Sequence, residues 1–198
     1  MQKKRYAGYI IGGIIVLLGI FTITSYNSLV KREEVVDKQW AEVQNTYQRR
    51  LDLVPNLVNV VKGVSDFEQS TLENIATARV EAISGIGNKE ISANNISQQE
   101  AKQNNVAVAA NRIIVLIEKY PTLKGTKAYT ALQTQLEGTE RRIKVARNDF
   151  NAAIADYNKS VRSFPTNVVA GIFGFHEKEG FAADAGTDKA VEINFIKN

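Results

Sequence analysis

The sequence predicts an all-α protein in which an N-terminal transmembrane helix tethers a helical bundle. Three observations carry this. An uncharged apolar run opens the chain, apolar residues recur at helical spacing through most of the remainder, and breakers are scarce, with only three prolines in 198 residues. The length suits one domain. The expected segments are a basic flank at 1–5, an anchor at 6–28, a bundle at 29–165 and an apolar, Gly-rich C-terminal segment at 166–198. Composition excludes much chemistry. With no cysteine there is no disulfide, thiolate zinc site or cysteine nucleophile, and the lone His176 rules out a two-histidine metal site. A net charge of +4 is too weak to argue for nucleic acid.

Between Tyr6 and Val30 no residue is charged. A bilayer span needs roughly 20 such residues. Lys3, Lys4 and Arg5 form the basic flank, and Tyr6, Tyr9 and Tyr26 stand where interfacial aromatics are favoured. A cleaved signal peptide also begins this way, but the run is longer than a usual signal core and no Ala-x-Ala site follows it. The reading is an uncleaved, single-pass anchor in the cell membrane. Three basic residues before the span against Lys31 and Arg32 after it favour a cytoplasmic N-terminus with the bundle outside.

With Trp40 at heptad position a, that series continues through Tyr47, Val54, Val61, Glu68, Ile75 and Ala82. The d series reads Val36, Val43, Arg50, Leu57, Val64, Thr71 and Ala78, and Leu51, Val58 and Leu72 at e widen the stripe. The phase passes unbroken through Pro55, which argues for a kinked helix. Asp52 as an N-cap ahead of that proline argues for a new helix instead. Both readings stand on the sequence.

Residues 84–98 lose the pattern and gather Gly, Asn and Ser, so a loop is expected there. Ser97 and Glu100 form a capping box for the next helix. That helix should reach about Lys119 and bury Val106, Ala110, Ile113, Ile117 and Tyr120, with Pro121 and Gly125 ending it. The last long helix pairs large a residues (Tyr129, Leu136, Ile143, Phe150, Tyr157) with mostly small d residues (Leu132, Thr139, Ala146, Ala153, Ser160), which lets a neighbour approach closely. It closes at Phe164-Pro165. Beyond it, the tail either lies over one bundle end, burying Phe173, Phe175 and Phe181, or presents a patch to lipid or a partner.

These residues resemble the LemA family. The features are YNSLV at 26–30, Trp40, RRLDLVPNLVNVVKG at 49–63 leading to Glu68, and Ala78-Arg79. YPTLK from Tyr120, YTALQTQLEGTERRIKVARNDFN from Tyr129, Tyr157-Asn158 and FPTNVVAGIFGF from Phe164 complete them. The resemblance covers Tyr26 to about Phe181. It implies one membrane helix followed by an antiparallel four-helix bundle, with no assigned enzymatic activity; the phase reading at Pro55 would give three long helices if the first is only kinked there. The resemblance also implies work beside other membrane proteins, a membrane zinc metalloprotease among them, and leans towards a break at Pro55.

The motif and register residues are Arg49, Arg50, Asp52, Pro55, Asn56, Glu68, Arg79, Glu140, Arg147, Asn151 and Asn158. Arg50 and Glu68 occupy core positions roughly 27 Å apart along a straight helix and cannot pair there. Glu140 and Arg147 on the last helix are their natural partners, because an unpaired buried charge is very costly. The favoured reading makes these residues struts that fix helix register; the alternative is a polar seam that opens to a ligand or signal. No catalytic set is visible. Glu33 and Glu34 point to different faces, Gly85 and Gly87 lack the lysine of a phosphate loop, and Arg141, Arg142, Lys144 and Arg147 are interleaved with acids. The expected partners are the lipid bilayer and other membrane proteins, with no nucleic acid, no metal and no cofactor. The expected function is a non-enzymatic interaction or scaffold module, the alternative a ligand- or lipid-sensing bundle.

Overall fold

The computed structural model describes residues 2–62, 69–88 and 90–182. Glu68, Val64, Gly63 and the tail from 183 onward lie outside the described residues. Among the described residues six helices form: α1 (Gln2–Val61), α2 (Gln69–Ile83), α3 (Ala93–Ile117), α4 (Pro121–Lys124), α5 (Lys127–Arg162) and α6 (Thr166–Phe173). No strand forms among the described residues.

The anchor and the first bundle helix are one element. At about 1.5 Å per residue, the 60 residues of α1 reach roughly 90 Å. Its first part is bare, with Tyr9 75% and Leu17 68% exposed, and burial begins at Ser25 and Leu29. Pro55 lies inside α1, so the break towards which the family resemblance leans does not occur and Asp52 is no N-cap. The unbroken stripe explains why: Val54, Leu57 and Val61 must stay in phase with Tyr47 and Leu51 to remain buried.

The chain runs up through α1, down α2, up α3 and down α5. Contacts fix these directions. Arg79 of α2 reaches Leu51, Lys102 of α3 reaches Ser84 just past α2, and Arg50 of α1 meets Glu140 of α5. Described a and d positions on α1 and α2, from Val36 to Ala82, are buried, as are those on α5 from Tyr129 to Tyr157.

Two corrections concern boundaries. α3 starts at Ala93, not after Ser97, and the loop is correspondingly shorter. Ser92 is the cap, its side chain accepting from the Asn95 N–H, whereas Ser97 sits inside the helix and donates to the Asn94 carbonyl. The tail also differs from expectation. It forms α6, then turns at Gly174, whose φ of +78° is open to glycine, and the Phe175 N–H bonds back to the Ala170 carbonyl. Residues 175–182 then climb back along α5 as a strap. Phe181 is buried, but Phe175 is only partly covered and Phe173 is 50% exposed, so the tail buries one of the three expected phenylalanines fully.

Candidate functional site

The apolar interior is two cores, not one. The first joins Leu29, Val36, Trp40, Val43 and Tyr47 to Ile143, Phe150, Tyr157, Val169 and Phe181. The second joins Leu51, Leu57, Val61, Ile75, Val106, Ile113 and Ile117 to Tyr129, Leu132 and Leu136. Arg50 falls between Tyr47 and Leu51, at the seam.

At that seam the Arg50 side chain is 5% exposed. Its Nε donates to Glu140 Oε1 at 2.7 Å, a second nitrogen donates to Glu140 Oε2, and Nη1 donates to the Gln103 carbonyl at 3.0 Å. A planar guanidinium meets a carboxylate with two parallel bonds, which sets both distance and angle between α1 and α5. One layer nearer the anchor, Arg147 pairs with Glu100 of α3 and lies 4.4 Å over the Phe181 ring. Arg147 was expected beside Glu68; it engages Glu100 instead. Burial pushes the nearby Tyr47 phenol up to about 12, with Arg147 and Arg50 pulling the other way.

A cleft of about 610 Å³ flanks this layer, lined by Arg50, Glu140, Lys144, Arg147, Asn151 and Phe181 among others. Of its polar groups, Arg50, Glu140, Arg147 and Asn151 are engaged within the chain. Asn151 donates to the Phe181 carbonyl at 3.1 Å and accepts its N–H at 2.9 Å. Asn158 does the same for Lys178, at 2.8 and 2.9 Å. The spacing explains the match. Two helical turns from Asn151 to Asn158 advance about 10.5 Å, close to three extended residues at about 3.3 Å each.

The Pro55 element resolves into a device. Proline has no N–H for the carbonyl four residues earlier, that of Leu51. Arg79 of α2 donates its Nε to that carbonyl at 3.0 Å. Arg49, Asp52 and Asn56 are exposed and lie outside the polar layer, Asp52 accepting from Gln48. Sequence reasoning missed Glu100, Gln103 and the strap. The pairing of Asn151 and Asn158 at one-heptad spacing on a buried-side flank was the signal for the last. Among the described residues, no group of three or more acidic, histidine or cysteine side chains is placed to hold a metal ion.

Fold and site together define a helical bundle protein with, among the described residues, one helix long and apolar enough to cross a membrane. The chain belongs to the LemA family, which it matches over residues 39–195. It is 27% identical to Magnetosome protein MamQ 2 of Paramagnetospirillum magneticum over 187 residues, covering 84% of this chain and 68% of the relative. Magnetosome protein MamQ of Magnetospirillum gryphiswaldense is 27% identical, over 79% of this chain and 64% of its own length. Protein LemA of Metamycoplasma hominis is 23% identical, over 79% of this chain and 69% of the relative.

Proposed function

We propose that this chain is a non-enzymatic, single-pass membrane module that holds other membrane proteins, its bundle on the far side of the membrane from a cytoplasmic N-terminus. One observation carries the reading. The charges inside the bundle are spent on the bundle: Arg50 on Glu140 and Gln103, Arg147 on Glu100. A site that transforms a substrate needs groups free to act on it. The relatives' names specify no reaction, and two name the magnetosome. A membrane metalloprotease is among the partners we propose.

Cross-linking in intact cells followed by mass spectrometry tests this. The same membrane protein recovered across replicates is the expected result, and no reproducible membrane partner counts against the proposal. A reporter fused after Asn198 checks the topology, with activity expected only outside the cytoplasm. The cleft beside Arg50 and Arg147 favours a second reading, a ligand-sensing seam. Loss of a cellular phenotype on Glu140→Ala with no change in melting temperature would favour that alternative.

A further inference from the structure

Helix α6 is apolar on a face that no other described residue covers. Val169 and Ala170 point inward and are buried, while Val168, Ile172 and Phe173 on the outer side are 55%, 71% and 50% exposed, and Phe164 just before the helix is 83% exposed. From Phe164 to Phe175 no residue is charged. A surface helix in water ordinarily carries charge on its outer face; α6 carries none, and beyond Thr166 and Asn167 at its start it is wholly apolar.

Its position says what excludes the water. Phe173 packs edge-on against Tyr26 with ring centroids 5.0 Å apart, and Phe175 meets the same ring at 5.6 Å. Phe21 packs against the same core as α6. The helix therefore lies beside α1 at the end of its exposed apolar run, where Ile15 and Ile23 are each 63% exposed. Charge resumes on all three strands of chain at one level. Lys31, Arg32 and Glu33 follow on α1, Arg162 ends α5, and Glu177 and Lys178 stand near the start of the strap. Two ion pairs mark that level, Lys178 with Glu33 at 3.0 Å and Arg162 with Glu177 at 3.8 Å. The apolar band of the span and the outer face of α6 are continuous and share one charged border.

We propose that α6 is a second membrane contact. Its face of Phe164, Val168, Ile172 and Phe173 seats in the boundary between headgroups and acyl chains of the leaflet from which α1 emerges. Two contacts fix the tilt and rotation of the bundle on the membrane, which one straight helix leaves free. This rests on α1 crossing the bilayer and is independent of whether the bundle holds partners.

The chain has no cysteine, so single-cysteine labelling is clean. The full chain is placed in vesicles of phosphatidylcholine and phosphatidylglycerol, with an environment-sensitive fluorophore on Val168→Cys, Ile172→Cys, Val145→Cys or Ile15→Cys. Lipids carrying a nitroxide high on the acyl chain supply the quencher, with a second set carrying it deep on the chain to read Ile15 near the middle of the span. Val145 is 58% exposed on α5, well away from α6, and serves as the water-facing control. The expected result is quenching at 168 and 172 several-fold above that at 145. Quenching no greater than at 145 overturns the proposal. So does shielding of both positions from a water-soluble quencher without nitroxide quenching, because a second copy or another protein would then cover the face. If the Ile15 label also escapes the nitroxide, the membrane span itself is withdrawn; if only 168 and 172 escape, the span stands and this proposal alone falls.

Discussion

At the residue scale, Arg50 is the most deeply buried charge among the described residues. Removing Glu140 leaves a guanidinium that is 5% exposed with only Gln103 for company. Charged hydrogen bonds are worth about 1.5–3 kcal/mol, and Glu140 itself is half-exposed, so Glu140→Ala should destabilise by about 2 kcal/mol. Thermal unfolding of the purified chain checks this, and an unaltered melting temperature would remove the strut. Tyr47 gives a second handle. Its folded form holds the phenolic proton more tightly than the unfolded chain does. Its contribution is therefore whole below the ordinary value of 10.0 and is lost as pH climbs through about 12. Across that window the melting temperature of the parent should fall more steeply than that of Tyr47→Phe. Pairing of Arg50 was expected because a charge at a d position demands a partner. Glu100 was not, because it was assigned to a capping box and its side chain thereby given a local task.

At the element scale, Pro55 and Arg79 act as one unit. The proline frees the Leu51 carbonyl and Arg79 claims it, tying α1 to α2. Arg79→Ala should destabilise by about 1–2 kcal/mol in the parent, and much less where Pro55→Ala has restored an N–H for the same carbonyl. Additive losses in that double-mutant cycle would dissolve the link. The strap offers a parallel case. Asn151→Ala removes two hydrogen bonds to Phe181, and Gly180→Ala would drive a methyl group into the Asn151 carboxamide. In both variants amide exchange at Phe181 should rise about tenfold, at about 1.4 kcal/mol per factor of ten, with exchange in the α1–α5 core unchanged. Protection that persists would show the strap held by Phe181 packing alone. Long amphipathic elements were legible because many positions share one phase: α1 and α5 needed only their heptads. The start of α3 was not, since two serines five residues apart both make plausible caps and only tertiary contact of Ile96 with the first core selects the earlier one. Helix α6 escaped because eight residues give too few turns for a period to show.

At the scale of the whole molecule, the all-helical class and the anchor follow from composition and the uncharged run, which depend on no long-range contact. The division of the interior into two cores with a polar layer between them was only partly visible. Arg50 marked where the layer falls on α1, but its partners lie 53 and 90 residues away in sequence. The α1–α5 pairing explains the functional reading. One helix passes from an exposed apolar segment into the bundle without a joint, and the polar layer ties it to α5. The most direct measurement replaces the layer with apolar side chains of similar size, Arg50→Met together with Glu140→Leu. Such swaps are often neutral or stabilising when both partners go together. If these charges are struts, the double variant keeps its melting temperature within a few degrees and retains the same cross-linked membrane partners in cells. A variant that stays folded, reaches the membrane and loses those cross-links would contradict this, because the polar layer would then be the binding site and not its scaffold.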